Sequence, residues 1–187
     1  YYVAWNVVGL VLAAAVVAMP MEFGRGFDAA SVPAAVGILL ATVLPSALAF
    51  KGRLIPAALA LALTAGAAYP AVFAHVLPEL DRLWVSRSLA AMVGSLGVAE
   101  PVAAAGYSEP SLVVLLGTNT RFTDGIGAAG HLAAHPDSLA LVVDAERPAF
   151  LAAAAAAGLA VVDYGRVDGF NYSRGKPIAI TVSGLRR

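Results

Sequence analysis

Two short segments set aromatic, hydroxyl and charged side chains between glycines: Gly106-Tyr107-Ser108-Glu109-Pro110 and Gly169-Phe170-Asn171-Tyr172-Ser173-Arg174-Gly175. Glycine-bounded polar segments of this kind suit ligand-facing loops. Aromatic rings can stack on a sugar face, and the amide and carboxylate can hydrogen-bond its hydroxyls. The Arg174 guanidinium can pair with a phosphate through two parallel N–H donors. Tyr107, Glu109, Asn171, Tyr172 and Arg174 are therefore the candidate substrate-binding residues. The same side chains also have a purely structural use, as tyrosine corners and a Glu109–Arg174 ion pair. Asn171-Tyr172-Ser173 is formally a glycosylation acceptor, which matters only in a secretory pathway that uses it.

The remaining motifs carry less. Gly125-Ile126-Gly127-Ala128-Ala129-Gly130 matches G-x-G-x-x-G, and Asp144 follows at the distance of a ribose-binding acid. The preceding Arg-Phe-Thr-Asp is a poor buried strand, and the Gly- and Ala-rich background produces chance matches. His131 and His135 share a helix face but lack a third ligand, and Leu132 stands where a zinc protease has Glu. They read as solvated or capping histidines, and no metal site is expected. There is no cysteine, hence no disulfide, thiolate zinc site or cysteine nucleophile. No serine sits in G-x-S-x-G, and there is no P-loop. The sequence names no catalytic residue and no cofactor.

The elements that must hold these segments follow from composition. Of 187 residues, 60% are hydrophobic and only 13% charged. Mean hydropathy is +0.80. Soluble domains carry about a quarter charged residues, and disordered chains need low hydrophobicity, so both are excluded. Twelve cations balance twelve anions, which gives nucleic acid nothing to bind. The charges are unevenly placed. Residues 1–78 hold five (Glu22, Arg25, Asp28, Lys51 and Arg53), and 19 lie in residues 79–187. The break divides a membrane segment, 1–78, from a small domain, 79–187. Uncharged runs at 1–20, 32–50 and 54–77 are each long enough for a transmembrane helix. The short basic Lys51-Gly52-Arg53 connection predicts that this loop is cytoplasmic and that everything after Leu77 lies outside. The chain starts without Met inside an apolar run, which reads as a piece of a longer protein or a processed product.

Beyond Pro78 the pattern alternates. A helix is predicted between Pro78 and Pro101, with Glu79 and Asp81 in its first turn. Short strands are predicted at 102–106, 118–123, 139–143, from 159, and at 178–182. Helices are predicted at 110–116, up to Ala134, and at 146–157. The last two strands are read as an antiparallel pair joined by a long loop. The fold class is a membrane α-helical segment of three transmembrane helices, followed by a small α/β domain with a mixed, partly parallel sheet.

Residues 107–118 (Tyr-Ser-Glu-Pro-Ser-Leu-Val-Val-Leu-Leu-Gly-Thr) and 169–175 (Gly-Phe-Asn-Tyr-Ser-Arg-Gly) resemble the C-terminal part of bacterial family-39-type membrane glycosyltransferases. This GT-C group includes the aminoarabinose transferases and protein-mannosyltransferase-like enzymes. The resemblance implies an inner-membrane, multi-pass transferase with its C-terminal domain on the periplasmic side. It implies a polyprenyl-phosphate sugar donor and a lipid, glycan or protein acceptor. The family's catalytic acid lies in an early exterior loop with no counterpart here, so no catalytic residue is carried over and the chain alone is expected to be inactive. The alternative is a membrane-anchored exterior binding or scaffolding module without catalysis.

Overall fold

An apolar solvent leaves the backbone to satisfy its own N–H and C=O groups, and a helix does so along its length. Three such helices open the chain: α1 (Tyr2–Phe23), α2 (Ser31–Phe50) and α3 (Leu54–Ala71). The computed structural model describes residues 1–98 and 101–186. One π turn, Val72–Val76, and one 3-10 turn, Leu77–Glu79, extend α3, so the third apolar stretch runs Leu54–Glu79, 26 residues. All three stretches are long and apolar enough to cross a membrane, which makes the chain a membrane-associated protein. The first helix passes Pro20, where a stop was expected. The proline removes one donor, but its carbonyl accepts from Gly24 N–H at 3.0 Å and the helix holds to Phe23.

Polar side chains in these helices turn back on their own backbone. The Ser46 hydroxyl donates to the Thr42 carbonyl at 2.7 Å and the Thr64 hydroxyl to the Ala60 carbonyl at 2.6 Å. Helix contact relies on missing side-chain volume, as membrane helices do when no hydrophobic effect pulls them together. A Cβ at Gly9 of α1 would overlap the Thr42 side chain of α2, and one at Gly37 of α2 would sit 3.1 Å from the Ala68 Cβ of α3.

Contacts divide the chain into two units, Tyr1–Asp81 and Arg82–Arg187. Glu79 and Asp81 do not head the next helix. Glu79 closes the 3-10 turn, and the Asp81 carboxylate accepts from Arg25 Nε at 2.8 Å within the first unit.

The second unit is built on a five-stranded sheet: β1 (Ala103–Ala105), β2 (Arg121–Thr123), β3 (Leu139–Val143), β4 (Val161–Asn171) and β5 (Lys176–Leu185), in the order β2-β1-β3-β5-β4. β1 pairs in parallel with β2 and β3, whereas β3–β5 and β4–β5 are antiparallel. The helices are α4 (Val85–Ser95), α5 (Pro110–Leu116), α6 (Gly125–Ala134) and α7 (Arg147–Ala156). All of β3 is buried, and its period of two feeds two cores. Leu139, Leu141 and Val143 join Val85, Leu89 and Val93 of α4 and Leu112 of α5. Ala140 and Val142 join Ala129 and Leu132 of α6 and Phe150 of α7. The sheet is thus covered by helices on both faces.

The long loop expected between the last two strands is absent. β4 runs to Asn171, β5 starts at Lys176, and Asn171 pairs with Lys176 in register. Only a four-residue turn separates them. The glycine read as a loop hinge, Gly169, lies within β4, where a Cβ would overlap Val85 and the Arg82 carbonyl. Its role is close backbone approach, which a strand permits.

Replacing Gly9 with Leu is expected to separate α1 from α2 and to destabilise the first unit by about 1–3 kcal/mol, the cost of overpacking. Gly66→Leu, where a Cβ meets nothing within 4 Å, is the control. Thermal unfolding in detergent should show a lower Tm for the first variant and an unchanged Tm for the second.

Candidate functional site

In open α/β sheets, ligands gather outside the carboxyl ends of the parallel strands. A cleft of about 870 Å³ occupies that place in the second unit. This volume suits a small ligand. Gly106 and Tyr107 enter it from the end of β1, Asp144 and Glu146 from the end of β3, and Asp168, Asn171, Arg174 and Lys176 from the β4–β5 hairpin. Phe122 of β2 adds an aromatic edge, and Arg82 a further cation.

The chain reverses at Gly106, with φ +79, a conformation other residues adopt at a cost. A Cβ there would overlap Val143, so the first motif leaves the sheet against the end of β3. Tyr107 is 5% exposed, and its hydroxyl lies 2.9 Å from Ser86 Oγ, itself 2.8 Å from Ser111 Oγ. Burial pushes the phenol above its ordinary value, partly opposed by the Ser86 hydrogen bond and reinforced by Glu109. Tyr107 is thus a neutral anchor between α4 and α5 that shows one edge to the cleft.

The second motif is a hairpin turn. Asn171 Oδ1 accepts from Arg174 N–H at 3.1 Å and lies 2.7 Å from Ser173 Oγ, and Gly175 takes φ +63 to return the chain to β5. The two motifs meet here. The Ser173 hydroxyl donates to Glu109 Oε1 at 2.6 Å. The sequence-level alternative of a Glu109–Arg174 ion pair is therefore replaced by a hydroxyl–carboxylate bond. Arg174 and Lys176 carry no ion pair among the described residues.

Of the five candidate residues, Tyr107, Asn171 and Arg174 line the cleft. Glu109 stands beside it, tied to Ser173, and Tyr172 is 62% exposed at the turn and does not line it. Sequence reasoning missed the acidic wall. Asp144 and Asp168 face the cleft and are both bound by Arg166, which donates to Asp144 at 2.7 and 2.8 Å and to Asp168 at 3.0 Å. Hydrogen bonding to Asp144, then to Asp168, raises the guanidinium pKa above its ordinary value. The available signal was position: Asp144 ends a fully apolar strand, and Arg166 and Asp168 are two apart on one strand face.

The glycine-rich motif and the histidines are structural. Gly125 opens α6 with its N–H bound to Glu146 Oε2 at 2.8 Å, and Asp124 caps the helix through Gly127 N–H at 2.7 Å. Two amide donors that a dinucleotide pyrophosphate would need are already taken. His131 is buried, not solvated: its Nε2 lies 2.8 Å from the Pro101 carbonyl and 2.9 Å from Ser138 Oγ. The Leu132–His131 part of α6 faces inward, which removes the water a surface histidine would have. Among the described residues no cluster of three metal-ligating side chains occurs.

Asn171→Ala is expected to loosen the turn by about 1 kcal/mol through lost hydrogen bonds. Amides of Arg174–Lys176 should then exchange hydrogen faster, whereas Tyr172→Ala should leave their exchange unchanged. Comparison with known protein families, curated proteins and solved structures finds no match to this chain.

Proposed function

We propose that the chain is the C-terminal part of an integral-membrane glycosyltransferase of the GT-C type. In this reading the enzyme moves a sugar from a polyprenyl-phosphate donor to an acceptor on the outer face of the cytoplasmic membrane. The second unit is its exterior domain, and the cleft receives a polar, phosphate- or glycan-bearing part of a substrate. One observation carries this reading. Two segments, each resembling a transferase motif, meet through Ser173 and Glu109, 64 positions apart in sequence, at 2.6 Å. They bring Tyr107, Asn171 and Arg174 to one cleft at the carboxyl ends of the parallel strands. Arg174 and Lys176 give the cleft two cations that no carboxylate of the described chain neutralises.

A binding module without catalysis has one observation in its favour. Asn171 Oδ1 and Gly175 serve the turn itself, so the second motif has a structural reason to exist.

Two experiments test the proposal. Arg174→Ala in the full enzyme removes an exposed side chain and should leave abundance in the membrane unchanged while transfer falls tenfold or more. Unchanged transfer per enzyme molecule would favour the binding module. For orientation, the chain has no cysteine of its own. A membrane-impermeant thiol reagent applied to spheroplasts should label Ala155→Cys and spare Gly52→Cys. The reverse pattern would place the second unit in the cytoplasm.

A further inference from the structure

A groove of about 340 Å³ opens at one end of the three-helix unit. Tyr2 and Trp5 at the start of α1 form one wall. Ser46 and Ala49 at the end of α2 and Ala57 and Ala58 near the start of α3 form the other. The second wall is low because its side chains are small. Its one hydroxyl, on Ser46, is spent on the Thr42 carbonyl, so the groove offers an apolar surface. Phe50, 80% exposed, meets the Tyr2 ring edge-on with centroids 6.5 Å apart and extends the aromatic rim.

The turn that joins α2 to α3 carries Lys51 and Arg53. It follows Ala49 by two residues and precedes Ala57 by one helical turn, which sets both cations at this end of the groove. Neither makes an ion pair among the described residues. The acids of the unit cannot serve them. Glu22 ends α1, Asp28 precedes α2, and Glu79 and Asp81 follow the third stretch, so all four belong to the opposite helix ends.

We propose that this groove binds an anionic phospholipid, with an acyl chain along the apolar floor and the headgroup at Lys51 and Arg53. The match is one of charge and polarity together. An open apolar trough, an aromatic rim and two unneutralised cations at its mouth complement a molecule with an apolar tail and an anionic head. Basic pockets at the ends of transmembrane helices hold acidic lipids on the same principle, with each cation worth about a five-fold preference. Tyrosine and tryptophan at the rim suit the headgroup level. A further protein helix would fill the trough but leave the two cations without an anion. This site is independent of the transferase reading.

Trp5 lines the groove, and the chain has only two tryptophans. With Trp84→Phe, Trp5 fluorescence reports groove occupancy alone. The full chain is reconstituted in phosphatidylcholine bilayers, with acyl-brominated phosphatidylglycerol or acyl-brominated phosphatidylcholine added in steps. Brominated phosphatidylglycerol should quench Trp5 at a mole fraction at least about five-fold lower. The difference should vanish in the Lys51→Gln/Arg53→Gln double variant. Equal quenching by both lipids would overturn the proposal, as would weak quenching by both, which would mean that protein covers the groove. A preference that survives in the double variant would overturn it too. If Trp84→Phe fails to fold, the signal is the difference between the parent chain and Trp5→Phe, with the same outcomes.

Discussion

Backbones in this chain approach each other more closely than ordinary side chains allow, and both units depend on it. In the first, Gly9 admits Thr42 and Gly37 admits Ala68, so that three helices touch without a hydrophobic effect to press them together. In the second, Gly125 lies against the Glu146 carbonyl and the Phe150 amide, which lets α6 sit directly on the start of α7. Gly169 lies against the Arg82 carbonyl and Val85, which lets β4 pass under α4. The parallel neighbour of the central strand β3, β1, is all alanine. Residues with one carbon or none in the side chain lose little rotamer entropy on folding, which partly offsets the modest apolar area each buries.

That tightness decides where the cleft can be. Helices cover both sheet faces, and the cleft lies at the sheet end, where β1 and β3 stop and the β4–β5 hairpin continues beyond them. Gly106 turns the chain away at that edge, and the hairpin rises beside it to bring Ser173 to Glu109. The acidic wall is held from behind. Arg166 binds Asp144 and Asp168 at once, so one guanidinium serves two carboxylates. The exposed position of these pairs keeps their contribution to stability small. Their value is geometric, because they fix where acceptor oxygens face the cleft.

The hydrophobic pattern made most of the fold legible. Uncharged runs gave the three helices, the unbroken run at 139–143 gave the central strand, and Pro110 marked the start of α5. What failed was read from glycine. In 169–175 glycines were taken for loop hinges, yet Gly169 is needed for close approach inside a strand, and only Gly175 has the left-handed conformation that ends a turn. Sequence alone does not distinguish these two uses, since both need the absence of a Cβ. His131 failed for a related reason. Whether a histidine faces water depends on which side of α6 meets the sheet, and an almost uniformly small, apolar helix carries little amphipathic signal to say so. In the site, Asp144 was noticed only as a ribose-binding acid and Asp168 not at all, because their shared bond to Arg166 exists only when β3 and β4 are brought into one sheet.

Unpaired cations on a surface are common and by themselves indicate nothing, since water solvates lysine and arginine at no cost. Arg174 and Lys176 differ from that background through their setting. They stand at the rim of a concave surface whose walls are protein, where the local field is focused rather than dispersed. Asp144, Glu146 and Asp168 line the same cleft and carry the other sign. The cleft therefore holds charges of both signs. A ligand with charges or hydroxyl dipoles finds partners for them there, whereas a purely apolar one would have to desolvate these groups for nothing. Such a lining disfavours apolar occupants before any single hydrogen bond is considered.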